Sequence, residues 1–290
     1  MRSTLKPGSV VVGVDGSPHS DAAVAWAVAY ACKRHAPVLL INGAGTASSD
    51  PFVSHSDARS NLRIAARRIT DHALTLVQYQ APEVDVSVSA PLDDPRQALL
   101  DLSEQASMIV LGTRGHGMVR SLLLGSVSVA VAEHAQCPVT VVRGIDEAQA
   151  RDGHVVVGVG LDGSSAAALE LAFDLASENG VPLDVVHAWG ANDTFVDVAS
   201  YQQRTEILER HELLVAEQLA GYTEKYPDVV TTTTMPDAGA VGALVTRSED
   251  ASHIVLGTHG RHGVRSLLGS VSRGVLQHAH CPVTVVRPVE

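Results

Sequence analysis

The chain of 290 residues carries 45 % hydrophobic and 18 % charged side chains with no low-complexity tract, which excludes a disordered or fibrous protein and suits two domains of about 145 residues each. With 21 basic and 32 acidic side chains the formal charge is −11, and three Phe, two Trp and five Tyr are too few for base-stacking platforms, so no nucleic-acid partner is expected. The longest uncharged apolar stretch, Ala22 to Cys32, spans 11 residues against the roughly 20 a transmembrane helix needs. The short run Val10 to Val14 is no signal-peptide core, so no membrane contact and a cytoplasmic location are expected.

In chain order, short β-branched runs alternate with longer helical patterns, the signature of βαβ units on a parallel sheet. The first strand is predicted at Val10–Val14 and the first helix at Pro18–Arg34, with Ser17 as N-cap and Pro18 at its first position. A strand at Val38–Ile41, a helix at Asp57–Gln80, a strand at Val84–Ser89 and a helix at Asp94–Glu104 follow. The half closes with a strand at Met108–Leu111, a helix opening at Ser126 and a strand at Val139–Val142. A second series puts strands near 155–161, 183–188, 229–234, 253–256 and 283–286.

The second series repeats the first. Residues 106–143 and 251–287 agree at 27 of 37 paired positions with one gap, and Val12 to Ser17 (VGVDGS) reads like Val159 to Ser164 (VGLDGS). A period this long makes each repeat a whole domain: residues 1–143 and 154–290, joined by a polar linker at 144–153. Right-handed crossovers then give an α/β, doubly wound layer with helices on both faces, and ligands of such sheets bind beyond the carboxyl ends of the strands.

At that edge lies a glycine loop. Gly112, Thr113, Arg114 and Gly115 are followed after nine residues by Gly125, Ser126, Val127 and Ser128, which open the fourth helix. Glycines let backbone approach phosphate oxygens, and the helix start offers amide donors and a positive dipole end. The loop recurs at Gly257, Thr258, His259, Gly260, Gly269, Ser270, Val271 and Ser272, one residue shorter, which makes the second site the less certain one. Arg114, His116 and Arg120 in one copy, and His259, Arg261, His262 and Arg265 in the other, add cationic character inside an acidic protein. A tight strand-to-helix connection is the alternative reading. Ser128 and Ser272 are read as further hydroxyl contacts to phosphate or as groups that satisfy the first helical turn.

The pattern G-x2-G-x9-G-[ST], the Asp-Gly-Ser after the first strand and the Cys-Pro-Val-Thr-Val-Val ending together resemble the ATP-binding branch of the universal stress protein family, in its tandem, actinobacterial form, over essentially the whole chain. The resemblance implies two Rossmann-like domains that bind ATP, each a five-stranded parallel sheet of order 3-2-1-4-5, with the adenosine between the ends of strands one, two and four. It implies that Gly13, Val14 and Asp15 lie under the adenosine and that Gly43 and Ala44 leave room for adenine. In the second half the matching positions are Gly160, Leu161, Asp162, Ala188 and Trp189. For Asp15 and Asp162 the residues leave open a turn-forming role, a hydrogen bond to adenine or ribose, and help with a Mg²⁺ on the phosphates. A homodimer is also implied by the resemblance. The two fifth strands are apolar edges expected to pair with each other.

Catalysis is thinly provided for. The three lysines, Lys6, Lys33 and Lys225, lie away from both loops, there is no GxxxxGK, and neither loop holds an Asp or Glu to orient water. These absences suit little or slow turnover, and with the family resemblance they imply a regulator of stress response or growth arrest that holds ATP and acts on an unnamed protein partner. Its alternatives are a slow ATPase or adenylyl-transfer enzyme, and a nucleotide-free scaffold. His134 with Cys137 and His278 with Cys281 are read as a helix-end histidine and a buried thiol, not as catalytic or metal pairs.

Overall fold

Three valines, Val10, Val11 and Val12, have no solvent exposure at all and lead into Gly13, forming the strand β1 (Val10–Gly13) at the middle of a sheet. Such continuous β-branched runs fit strands covered on both faces. In the computed structural model, which describes residues 5–43, 45, 55–113, 124–143, 153–190, 201–258 and 268–287, the chain forms two units, Met1–Asp146 and Glu147–Glu290. Apart from Gly153, the expected linker at 144–153 lies outside the described residues.

In the first unit β1 is followed by α1 (Pro18–Arg34), β2 (Val38–Ile41), α2 (His55–Gln80), β3 (Val86–Ser89), α3 (Pro95–Ser103), β4 (Met108–Gly112), α4 (Ser126–His134) and β5 (Val139–Val142). Every strand pair is parallel and the order is β3-β2-β1-β4-β5. Helix α1 packs with α2 and α3 with α4, one pair on each face, as right-handed crossovers on this order require. The sheet reverses its winding between β1 and β4, so the ends of these two strands border the crevice of the fold.

Local chemistry explains the element ends. Ser17 accepts the Ser20 amide at 3.2 Å, a side-chain cap on α1 worth about 1 kcal/mol, with Pro18 in the first turn. Asp94 caps α3 through the Arg96 amide at 2.8 Å, again ahead of a proline. At the other end of α1 His35 takes a left-handed conformation, φ 50°, and its amide closes onto Ala31 and Cys32. Strand β3 starts at Val86, later than the expected Val84, because the Val84 amide bonds back to Ala81 in a turn at 3.1 Å.

The second unit runs β6 (Val155–Gly158), α5 (Ala166–Asn179), β7 (Leu183–Val186), α6 (Tyr201–Lys225), β8 (Thr231–Thr234), α7 (Ala240–Arg247), β9 (His253–Gly257), α8 (Ser270–His278) and β10 (Val283–Val286). Its strands are parallel in the order β8-β7-β6-β9-β10. Strand β6 ends at Gly158 rather than running to residue 161, because the Gly160 amide turns onto Ser165 Oγ at 3.0 Å. The cores differ in kind. Where β2 carries Leu39, β7 carries Asp184, which is 3 % exposed and is held by Thr234 Oγ1 at 2.7 Å and Arg247 at 3.0 Å.

Candidate functional site

In the first unit three glycines near the strand ends lie hard against neighbouring segments. A side chain on Gly13 would begin 2.4 Å from Leu111 Cδ2, one on Gly43 would begin 2.4 Å from Pro95 Cα, and one on Gly112 would begin 2.6 Å from the His19 carbonyl oxygen. Gly43, expected to leave room for adenine, thus also gives the start of α3 its close approach to the end of β2.

Beyond β1 the chain is held at each step. The Val14 amide donates to Ile41 at 2.8 Å, and the Val14 carbonyl accepts from Asn42 Nδ2 at 2.6 Å. The Asp15 amide donates to Ser20 Oγ at 3.3 Å, while Asp15 Oδ1 accepts the Ser17 amide at 2.9 Å across Gly16, whose φ is 80°. The carboxylate of Asp15 is therefore a turn group through one oxygen, half-buried at the strand end.

Across the crevice β4 ends in Gly112 and Thr113. The Thr113 amide donates to Val142 at 3.1 Å, and its carbonyl accepts the Gly125 amide at 2.7 Å, which draws the two ends of the glycine loop together. The buried Ser128 hydroxyl donates to the Gly112 carbonyl at 2.8 Å. Its single proton is thus spent on the strand, and only oxygen lone pairs would face a ligand. Thr113 Oγ1 lies 3.4 Å from His19 Nδ1, a neighbour that no sequence motif marks.

Helix α4 starts without a side-chain cap. Its N-cap is Gly125, and the first helical bond is from Val129 to Gly125 at 3.0 Å, so the amides of Ser126, Val127 and Ser128 precede the i→i−4 ladder. The exposed Ser126 and half-buried Val127 border this end. Helices α1 and α3 are closed at the same point by Ser17 and Asp94. Ala44, Arg114, Gly115, His116 and Arg120 lie outside the described residues, as do His259, Gly260, Arg261, His262 and Arg265.

The second unit repeats the loop ends closely. Gly269 donates to Thr258 at 2.8 Å, Ser272 Oγ donates to Gly257 at 2.7 Å, and α8 begins with a glycine cap. The missing residue therefore does not displace the helix start from the strand. Ser270 is exposed and Val271 half-buried, as in the first copy.

The strand end beyond β6 differs, and here the expected correspondence is corrected. Pairing Val12–Ser17 with Val159–Ser164 makes Asp15 and Asp162 equivalent; the hydrogen bonds do not. Val159 donates to Val186 at 3.0 Å as Val14 does to Ile41, and His187 Nδ1 meets the Val159 carbonyl at 3.0 Å where Asn42 meets Val14. Gly160 donates to Ser165 Oγ as Asp15 does to Ser20 Oγ. The counterpart of Gly13 is Gly158, whose Cβ would press on Leu256, and the counterpart of Asp15 is Gly160. Asp162 stands where Ser17 stands. The Asp-Gly-Ser turn keeps its local form, with Asp162 Oδ1 accepting the Ser164 amide at 3.1 Å and Gly163 at φ 75°, but it sits two residues later along the chain. Helix α5 is correspondingly shorter than α1 and opens at Ala166 without a side-chain cap.

Comparison with known proteins accords with this duplicated plan. The model of the universal stress protein family matches residues 8–143 and again residues 153–287. The chain belongs to the universal stress protein family. A universal stress protein of Mycobacterium tuberculosis is 37 % identical to it over 99 % of this chain and 99 % of its own length. One of Mycolicibacterium smegmatis is 36 % identical, covering 96 % of this chain and 97 % of its own. The crystal structure of a universal stress protein from Archaeoglobus fulgidus has the same fold, with a TM-score of 0.71 at 18 % identity over 97 % of both chains.

Other polar and aromatic side chains of this universal stress protein have partners within the chain. Trp189 is buried beside the half-buried Ala188, donates Nε1 to the Met235 carbonyl at 3.1 Å and carries the Arg204 guanidinium 5.2 Å over its ring, with Arg204 paired to Asp237. His187 and His211 meet at 3.1 Å between β7 and α6. Trp26 stacks on Tyr30. Burial pushes the Cys137 thiol up to about 12, which leaves it protonated and poorly nucleophilic, and His134 bonds the Ala130 carbonyl in the last turn of α4. Among the described residues no helix is long and apolar enough to cross a membrane.

Proposed function

We propose that this universal stress protein is an adenine-nucleotide-binding regulator that holds ATP with little or slow turnover and signals its occupancy to a partner protein in the cytoplasm during stress or growth arrest. The observation that carries the reading is the glycine cap of α4, tied to the end of β4 through Gly125 and Thr113, at the point where the sheet reverses. Amides ahead of a helix's first bond, at its positive dipole end, suit a polyphosphate. Within the first unit the described starts of α1 and α3 carry side-chain caps and that of α4 does not.

Asp15 across the crevice supports a ribose or adenine contact, since its Oδ1 is fixed by Ser17 and the carboxylate is oriented before any ligand arrives. A Mg²⁺ carried on the phosphates keeps most of its water and needs few protein oxygens, which fits a site with one acidic group at the strand end. The loop sequences hold no Lys or acidic residue, in keeping with retention of the nucleotide rather than rapid phosphoryl transfer.

The test is to analyse the purified full chain for co-purified nucleotide and to measure its thermal unfolding with added ATP, ADP and AMP. A native-state ligand at about 100 times its Kd stabilises by about 2.7 kcal/mol. A clear rise in melting temperature with ATP, together with phosphate release far slower than one turnover per second, is the expected result. An unchanged melting temperature and nucleotide-free protein refute the reading.

A further inference from the structure

We infer that the two units are unequal nucleotide sites, the first binding more tightly than the second, and that the strand-end position occupied by Asp15 in one and Gly160 in the other sets the difference. This rests on the adenine-nucleotide reading above.

The loop ends do not distinguish the units. Gly125 and Gly269 reach Thr113 and Thr258 at 2.7 and 2.8 Å, and Ser128 and Ser272 reach Gly112 and Gly257 at 2.8 and 2.7 Å. The first turns differ in one side chain, Val129 against Arg273, and the opposite wall differs more. There, in the first unit, a half-buried carboxylate stands directly on the strand end, with its backbone amide on Ser20 and Oδ1 on Ser17. Charge held in a partly desolvated place acts more strongly on a ligand than charge in water.

In the second unit the same backbone position is Gly160. Its amide is taken by Ser165 and its carbonyl accepts Gln218 Nε2 from α6 at 3.0 Å. Among the described residues of the first unit no side chain reaches the Asp15 carbonyl in this way; α2 has Ala73 at the matching place, as the paired helix ends at Ala81 and Tyr226 set the register. The acid of the displaced turn swings back: Asp162 Oδ1 lies 3.1 Å from where a Cβ on Gly160 would be. That oxygen, however, already accepts both the Ser164 amide at 3.1 Å and the Ser164 hydroxyl at 2.6 Å, and the residue is exposed. Both acids give one oxygen to their own turn, but Asp162 also accepts the Ser164 hydroxyl, is exposed to water and stands two residues beyond the strand-end position that Asp15 occupies.

Titration calorimetry of the full chain with ATP tests this. The expected result is two separable binding steps, with Kd values about tenfold or more apart, the range of one hydrogen bond to a charged group. Asp15→Asn, which keeps the oxygen that accepts the Ser17 amide, weakens the tight step by about that factor, while Asp162→Asn leaves it unchanged. The triple replacement Gly160→Asp, Leu161→Gly and Asp162→Ser writes the first unit's turn into the second and draws the two steps together. Circular dichroism and melting curves confirm that each variant is folded. Two equal steps in the unaltered chain, or equal losses from Asp15→Asn and Asp162→Asn, overturn the inference while leaving the nucleotide reading intact. Absence of any ATP binding by the unaltered chain removes that reading and the inference with it.

Discussion

The Ser128 hydroxyl donates to the Gly112 carbonyl across 2.8 Å, fastening the first turn of α4 to the last residue of β4, and Ser272 fastens α8 to Gly257 at 2.7 Å in the same way. Neither bond involves the loop that lies between its two partners in sequence. The position of each helix start is therefore set by the strand, whatever the length of the loop.

Replacing Ser128 by Ala removes this fastening and strands a carbonyl at the edge of the core. A loss of about 1–3 kcal/mol is expected, the cost of an unsatisfied buried acceptor, and Ser272→Ala should lose a similar amount. Urea unfolding monitored by circular dichroism checks both. If the serines mattered only as ligands, the unliganded stability of the variants would match the parent.

Gly112→Ala should be poorly tolerated, because the added carbon would begin 2.6 Å from the His19 carbonyl oxygen, a backbone atom of α1 that cannot turn aside. Gly242→Ala, where no atom lies within 4 Å, is the control and should be neutral or slightly stabilising as glycine leaves a helix. Comparing soluble yield and melting temperature of the two variants tests the claim.

His35 ends α1 at φ 50°, a conformation in which a β-carbon is crowded, whereas the matching residue after α5 is Gly180 at φ 63°. His35→Gly should therefore stabilise the first unit by up to about 1 kcal/mol. In a unit of this size that is a rise of about 2–4 °C in a melting scan.

His253 is buried on β9, bonded to Thr284 Oγ1 at 2.7 Å, and burial lowers its pKa from 6.5 to about 3. The folded ring stays neutral through that interval while the unfolded ring gains a proton. Stability is complete above pH 6.5 and should fall by about 1.4 kcal/mol for each pH unit below it, until the folded ring also protonates. The first unit has Met108 at this place, within 3.2 Å of Thr140. His253→Met should flatten the decline in melting temperature between pH 6.5 and 4, and an unchanged slope would show that other groups drive it.

Much of the fold could be read from β-branched runs, because a strand covered on both faces has few other ways to be written; Val38–Ile41 and Val139–Val142 have the predicted limits. Ser17 and Pro18 likewise announced α1 at the correct residue, since cap and first-turn proline act locally. The strand starts at Val86 and Thr231 were less legible, as the turns at Val84 and Val229 that delay them depend on amide bonds to Ala81 and Tyr226.

The crevice was legible in part for the same reason. Asp-Gly-Ser names a turn, and both turns are there, but a string match cannot tell where a turn is attached. The attachment is recorded by Ser20 and Ser165, which stand at different distances beyond the Asp-Gly-Ser motif, and by Asn42 and His187, which differ in type yet reach the same carbonyl. His19, pressed on Gly112 by its backbone and beside Thr113 through its ring, gave no sign in the sequence at all.

Gly13, Gly43 and Gly112 each surrender a side chain so that a neighbouring segment can come against the strand end, and the donors and acceptors left there belong to the main chain. Proline aside, substitution leaves peptide groups unchanged. Lineages can exchange residues freely behind such a strand end while its pattern of donors and acceptors persists, provided a few positions admit nothing larger than hydrogen.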